Sequence, residues 1–179
     1  FSYCSSLTQI SIPSSVTFIG DGAFYRCSSL TQIIFESPSF ITSIGNDAFS
    51  KCLSLAQISI PSSVTSIGNN AFYKCSSLTQ ISFEIPSFIT SIENGIFYGC
   101  SSLTKIQIPP SVTSIRNGAF YKCSSLTQIT IPSSVSSIGY YAFYKCISLT
   151  QISFEIPSSI ISIGDVAFYG CSSLKQISI

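Results

Sequence analysis

The stretch from Ala71 to Ser82 reads A-F-Y-K-C-S-S-L-T-Q-I-S, and near copies of it begin at Ala23, Ala48, Ala119, Ala142 and Ala167. A cysteine stands at the same place in every copy: Cys4, Cys27, Cys52, Cys75, Cys100, Cys123, Cys146 and Cys171. The spacings are 23, 25, 23, 25, 23, 23 and 25 residues. A fixed period of ~20–29 residues is the leucine-rich-repeat range. The cysteines divide the 179 residues into seven full units, 4–26, 27–51, 52–74, 75–99, 100–122, 123–145 and 146–170, with a partial unit at each end.

The apolar columns fix the architecture. Leu follows each Cys by three residues, from Leu7 to Leu174, and Ile follows by six, from Ile10 to Ile177. Phe precedes each Cys by three, from Phe1 to Phe168. Columns of large apolar residues in one register need a shared interior, and stacked coils supply it because each buries its open face on the next. In T-Q-I-S-I the isoleucines alternate with polar residues, the period of a strand with one wet face. Ile10 and Ile12 therefore point inward and Gln9 and Ser11 outward. A proline such as Pro13 or Pro61 ends each strand. A second short extended piece, V-T-S-I, follows, and then a Gly with Asp or Asn sets a turn. That Asp or Asn is expected to cap a single helical turn carrying A-F-Y-K. The expected fold is a leucine-rich-repeat solenoid: a parallel β-sheet on one face, with short strands, turns and single helical turns on the other.

The unit has two lengths. The short form reads I-S-I-P-S-S-V, and the long form reads I-S-F-E-I-P-S-F-I with two extra residues near the proline. Phe35, Phe83 and Phe154 replace Ile, and Ile41, Ile89 and Ile160 replace Val, only in long units. Core volume and loop length change together, as close packing requires.

The words S-L-A-Q-I-S-I-P-S-S-V-T-S-I-G-N-N-A-F-Y-K-C, from Ser54 to Cys75, resemble the BspA-like leucine-rich repeats, and the resemblance runs through essentially the whole chain. Members of that family occur on surfaces of bacteria and parasitic protozoa, and some bind host matrix proteins or mediate adhesion. The resemblance therefore implies a non-enzymatic protein-binding module, at the cell surface or secreted.

Composition narrows the classes further. Only 8% of residues are charged and the formal net charge is +1, so nothing attracts the whole chain to nucleic acid or to an anionic membrane. No apolar run approaches the ~18 residues of a spanning helix. There is no His, which excludes a Ser-His or Cys-His nucleophile. No Gly-rich phosphate loop occurs, and no enzyme activity, metal or cofactor is expected. The column of eight cysteines reads as buried thiols used as small apolar filler. Parallel side chains one coil apart hold their Cβ atoms beyond the usual ~3.8 Å of a disulfide, and a line of thiols does not converge on a metal. Bridges between adjacent coils remain the alternative.

Three features are candidates for a working surface. The first is the concave sheet, which shows Gln9, Gln32, Gln57, Gln80, Lys105, Gln128, Gln151 and Gln176. It reads either as a self-bonded glutamine ladder or as a polar ligand surface. The second is an aromatic-basic face just before each Cys: Tyr25, Arg26, Lys51, Tyr73, Lys74, Tyr98, Tyr121, Lys122, Tyr144, Lys145 and Tyr169. Its cations suit the C-terminus of a short helical turn, and Tyr with Lys also suits an acidic protein or glycan. The third is Glu93 with Arg116. These replace the usual Gly in adjacent units and are expected to form a surface salt bridge worth at most ~1 kcal/mol.

Two further readings stay open beside surface adhesion. Free thiols persist more easily in a reducing compartment and no N-x-S/T sequon occurs, which favours an intracellular, cytoskeleton-associated scaffold. A spacer that binds nothing is the other. Phe1 in place of Met and the absence of polar end caps suggest a fragment of a longer array whose ends meet flanking repeats or stack end to end. Apolar ladders are expected at those ends: Leu7, Ile10 and Ile12 at one, Leu174, Ile177 and Ile179 at the other.

Overall fold

The computed structural model describes residues 1–178, so Ile179 lies outside it. Each full coil contributes two strands, the first of them longer in every coil but 100–122, where β9 has only two residues. The first strands are β1 (Gln9–Ile12), β3 (Gln32–Phe35), β5 (Gln57–Ile60), β7 (Gln80–Phe83), β9 (Lys105–Ile106), β11 (Gln128–Ile131), β13 (Gln151–Phe154) and β15 (Gln176–Ser178). The second are β2 (Phe18–Ile19), β4 (Ser43–Ile44), β6 (Ser66–Ile67), β8 (Ser91–Ile92), β10 (Ser114–Ile115), β12 (Ser137–Ile138) and β14 (Ser162–Ile163). Equivalent strands pair in parallel, one repeat apart, with Gln9 opposite Gln32 and Gln57 opposite Gln80. The facing read from the alternation holds: Ile58 and Ile60 are buried, and Gln57 and Ser59 are exposed.

The core is one continuous cluster built from the columns. Phe49, Phe72, Phe97, Phe120 and Phe143 are fully buried, as are Leu55, Leu78, Leu103, Leu126 and Leu149. Successive Phe rings from Phe1 to Phe168 stack nearly parallel, with centroids 5.0–5.8 Å apart. The cysteines are all free, and the six from Cys27 to Cys146 are buried. They are more than filler. Each thiol donates to the carbonyl of the Phe one coil back, at 3.1 Å in every case from Cys27 to Cys171. The same Phe carbonyl accepts the N–H of its own coil's Cys, as in Cys75 N–H to Phe72 at 3.1 Å. Both lone pairs of a buried carbonyl are thereby used.

The single helical turns do not form: there is no helix among the described residues. The reason lies in where the N–H groups point. Gly22, Phe24 and Arg26 donate to Asn46, Ala48 and Ser50 of the next coil at 2.7–2.8 Å, while Ala23, Tyr25 and Cys27 close three-residue turns at 3.0–3.2 Å. Alternate amides bond between coils, so no run of i→i−4 bonds is available. Two left-handed residues also punctuate each turn, for example Asn70 (φ 56°) and Lys74 (φ 55°).

The Asp and Asn side chains therefore do not cap helices. They form a ladder instead. Asp21 Oδ1 accepts the Asn46 N–H, Asn46 Oδ1 accepts that of Asn69 at 2.8 Å, and Asn117 Oδ1 accepts that of Tyr140 at 2.9 Å. The rung between Asn69 and Asn94 differs, because there Asn94 Nδ2 donates to Asn69 Oδ1 at 2.9 Å. This is where Glu93 replaces glycine. A Cβ at Gly45, Gly68, Gly139 or Gly164 would come within 2.7 Å of backbone atoms one coil back. The coils part beside Glu93, but Arg116 in the same column keeps its amide bond to Ile92 at 2.8 Å, so a Cβ there does not by itself part the coils. The sheet of short strands is interrupted between β6 and β8, and Glu93 lacks the amide bond that Gly68 makes to Ile44 at 2.8 Å. The expected ion pair is also absent among the described residues. Arg116 lies in register beside Glu93, but its Nε donates to Ser91 Oγ at 3.3 Å.

Both ends expose apolar surface: Phe1 is 70% exposed, Leu7, Ile10 and Leu174 are half-buried, and Ile177 is 46% exposed, but Ile12, expected in the first ladder, is buried. With few charges to oppose contact, the 179-residue chain is expected to associate end to end as its concentration rises. Light scattering checks this, and a monodisperse monomer at high concentration would contradict it.

Candidate functional site

Unit length shapes the outer face of the long-strand sheet. In the long coils the strand ends in Phe and runs into Glu and a proline corner that stands away from the body. Ile85 and Ile156, at two of these corners, are 89% and 87% exposed. A carboxylate ties each corner to the coil before it. Glu84 accepts the Ser62 N–H at 3.1 Å and Glu155 accepts the Ser133 N–H at 3.2 Å. Glu36 makes the equivalent reach to the Ser11 hydroxyl at 3.1 Å.

Two short coils in succession, 100–122 and 123–145, lie between the long coils 75–99 and 146–170. No long corner follows coil 100–122, and so no Glu is available to cap it. The residue needing the cap, equivalent to Ser62 and Ser133, is Pro110, which has no N–H. The sheet floor is loosened at the same place. The Thr104 and Thr127 amides reach their partners at 3.3 and 3.4 Å, against 2.8 Å for Thr31 and Thr150. Strands β9 and β11 fall in separate sheets, as β3 and β5 also do away from the trough.

The result is a trough over the two short coils. One part, about 810 Å³, runs from Gln80 and the Phe83–Pro86 corner to Lys105, Gln107 and Pro110. The adjoining part, about 560 Å³, shares Lys105, Gln107 and Pro110 and continues to Gln128, Thr130 and Glu155. Three strand spacings separate the bounding long coils, roughly 14 Å, enough for one extended chain with its side chains.

The glutamine column lines this face, but it is not a self-bonded ladder. Gln9, Gln32, Gln57, Gln80 and Gln128 make no side-chain hydrogen bond to one another among the described residues. Gln151 turns its amide to Ser153 Oγ at 3.1 Å. Their Cα atoms are in register, yet the amides point to solvent. Only Gln80, Lys105 and Gln128 of the column border the trough; Gln9 lies outside it, and a shallower depression of about 480 Å³ takes in Gln32, Gln57 and Gln80. Gln107, Ile85 and the Pro109–Pro110 pair were not singled out from sequence. Their signal was present in the order of unit lengths.

The aromatic-basic face is a second, separate structure. Tyr73, Tyr98, Tyr121, Tyr144 and Tyr169 stack with centroids 4.3–5.2 Å apart. Ser50 interrupts the column before Tyr73, and its hydroxyl is buried without a partner. Burial in the stack and the neighbouring Tyr121 raise the Tyr98 phenol above its ordinary value. The cations do not end helices. Arg26, Lys51, Lys74, Lys122 and Lys145 occupy left-handed positions, φ 55–62°, and lie against tyrosine rings at 5.3–5.6 Å. Lys51 Nζ also donates to Tyr25 Oη at 3.4 Å, which lowers the Tyr25 phenol.

These features define a class: a parallel solenoid of the leucine-rich-repeat type, with its variation concentrated in coil length and on the outer faces. The chain belongs to the BspA type leucine-rich repeat family, whose pattern matches residues 1–89 and 90–179 in six copies. It is similar to a leucine-rich repeat protein from Bacteroides ovatus, at 32% identity and a TM-score of 0.76, over 99% of this chain and 50% of that one. It is also similar to the T. pallidum leucine-rich repeat protein TpLRR, at 30% identity and a TM-score of 0.83, over 94% and 78% of the two chains. The pneumococcal vaccine antigen PcpA shares the fold at 22% identity and a TM-score of 0.67, over 96% and 50%. The chain spans about half the length of the Bacteroides protein. No curated protein matches it. No helix among the described residues is long and apolar enough to cross a membrane.

Proposed function

We propose that the chain is a non-enzymatic binding module that holds an extended segment of a partner protein in the trough over coils 100–122 and 123–145, as part of a surface or secreted adhesion-type protein. The observation that carries this is the trough itself. Two short coils are walled by long ones, the floor offers unpaired amides and Lys105, and Ile85 and Ile156 stand exposed at the crests. Amides and a cation bond a peptide backbone and its carboxylates, and exposed apolar side chains become favourable contacts only when covered. The surface location rests on the family's habit. The intracellular scaffold remains the other reading, favoured by the free thiols, although their burial also protects them elsewhere.

Peptides selected from a random display library on the chain test the trough. A selected peptide should bind at least tenfold more weakly to Ile85→Ser and to Gln107→Ala, since both residues are exposed and neither supports the core. Affinity unchanged by both, and by Lys105→Glu, would overturn this reading.

A further inference from the structure

The turn face carries a depression of about 540 Å³ that has no part in the trough. Its floor is Gly99, where the column of cations skips one coil, and Lys74, Lys122 and Lys145 surround it. Although the chain's net charge is only +1 from eight cations and seven carboxylates, the charges are segregated. Five of the eight cations share this one column, no carboxylate lines the depression, and none forms an ion pair with these cations among the described residues. The field here is that of a cationic stripe.

The backbone adds an independent observation. The column position is left-handed, and Gly99 (φ 72°) and Gly170 (φ 76°) show the residue that fits it without strain. Lys74, Lys122 and Lys145 adopt the same conformation at φ 55–56°. Tyr3 (φ 63°) shows that the position also takes an uncharged side chain, yet five of its eight occupants are cations although glycine would be relaxed there. The tyrosine rings beneath hold each ammonium in place while leaving its protons toward solvent.

We propose that this depression binds an acidic polysaccharide, carboxylated or sulfated, lying along the solenoid axis, with one anionic sugar seated over Gly99 between Lys74 and Lys122. The next column over favours a sugar. The hydroxyls of Ser76, Ser101 and Ser124 each donate to a carbonyl one coil back, at 3.2–3.5 Å. Their lone pairs remain as acceptors, and sugar hydroxyls are donors that meet them. Leu53 and Ile147 replace serine in this column at the two ends of the depression and are 45% and 48% exposed, giving aliphatic surface for the C–H faces of a sugar ring. A pyranose is about as long as one coil is thick, so successive sugars keep step with successive coils. Same-face side chains of an extended peptide recur at ~6.6 Å against a coil spacing of ~4.8 Å and lose register within a few coils.

The test is calorimetric titration of the full chain with a chondroitin sulfate oligosaccharide at physiological salt. Lys122→Gly should weaken binding at least tenfold and leave the melting temperature unchanged or higher, because glycine already stands at two places in the column. Should that variant fold poorly, Lys145→Gln gives the same readout with the side chain's length kept. Gly99→Lys decides between a seat and mere charge. It adds a cation but fills the recess, and its Cβ meets only the flexible Lys74 side chain at 3.2 Å and its Cα at 3.8 Å. Binding should fall. Tighter binding to Gly99→Lys, no effect of the lysine variants, or equal affinity for polyglutamate or a single-stranded oligonucleotide of the same charge would each overturn the proposal.

Discussion

Phe72→Ala is expected to lower the unfolding free energy by about 3–5 kcal/mol, the cost of truncating a fully buried aromatic. Phe72 has no exposed surface. Its ring lies between Phe49 and Phe97, at 5.5 and 5.8 Å. The truncation therefore removes two stacking contacts, each worth ~0.5–1.5 kcal/mol beyond burial, and opens a void that two neighbouring coils line. Coils stabilise one another only through neighbours, so a loss at a central coil weakens both halves. Against a total of ~5–15 kcal/mol for an ordinary domain, such a change is large. Tyr73→Ala, one residue along, is the control. Its ring is half-buried and stacks on one side only, against Tyr98 at 4.8 Å, because Ser50 stands on the other. It should cost roughly 1 kcal/mol. Urea melts of the two variants check the difference, and equal losses would mean that the Phe stack does not carry the core.

What the sequence made legible was everything set by apolar columns. A position that is Phe in every unit can only be satisfied by a shared interior. Once Phe72 and Leu78 are inside, Ile81 must follow and Gln80 must face out. The misses share a different cause. They concern bonds between coils, and a single unit read alone contains only one partner of each. The segment A-F-Y-K looks like a helical turn until the Phe72 N–H is found on the Ile96 carbonyl at 3.0 Å, one coil on. Asn46 looks like a cap until its carbonyl oxygen is found on the Asn69 amide. Cys75 looks like a small hydrophobe until its thiol is found on the Phe49 carbonyl. The Glu93–Arg116 pair failed for another reason. Both side chains occupy a column built for glycine, and one coil's separation placed them in register without aiming their charges at each other. The trough was hidden differently again. Each corner is readable in its own unit, but the recess arises from the order of unit lengths, and Pro110 is the one local residue that marks it.

Raising the pH should unfold the chain steeply, because its core holds a row of thiols that cannot ionise where they are. An exposed thiol ionises near an ordinary value of 9.0, whereas burial pushes Cys52 up to about 12 and pushes Cys75, Cys100 and Cys123 well above the ordinary value. Between those limits the folded chain keeps protons that the unfolded chain has released. The stability these thiols contribute is therefore fully present below the ordinary value and falls as pH rises through the window toward 12. Each thiol loses ~1.4 kcal/mol per pH unit, so these four together remove roughly 5 kcal/mol per unit. A chain with ~5–15 kcal/mol in hand reaches its transition within one to three pH units above the onset. The expected result is a cooperative loss of far-UV circular dichroism in that range, coincident with a jump in the rate of thiol alkylation. Variants assign the slope to the thiols. Burial pushes Cys27 up as well, and Cys146 lies well above the ordinary value through its bond with Cys171 and its burial. Replacing both Cys75 and Cys100 by Ala therefore removes two of six raised groups and should cut the thiol part of the slope by about a third. The fold should be kept, because the Phe49 and Phe72 carbonyls that lose a thiol still accept the backbone N–H of residues 52 and 75. An unchanged slope in that double variant would place the alkaline loss on the surface groups and show that the thiol column does not limit the stability of the solenoid.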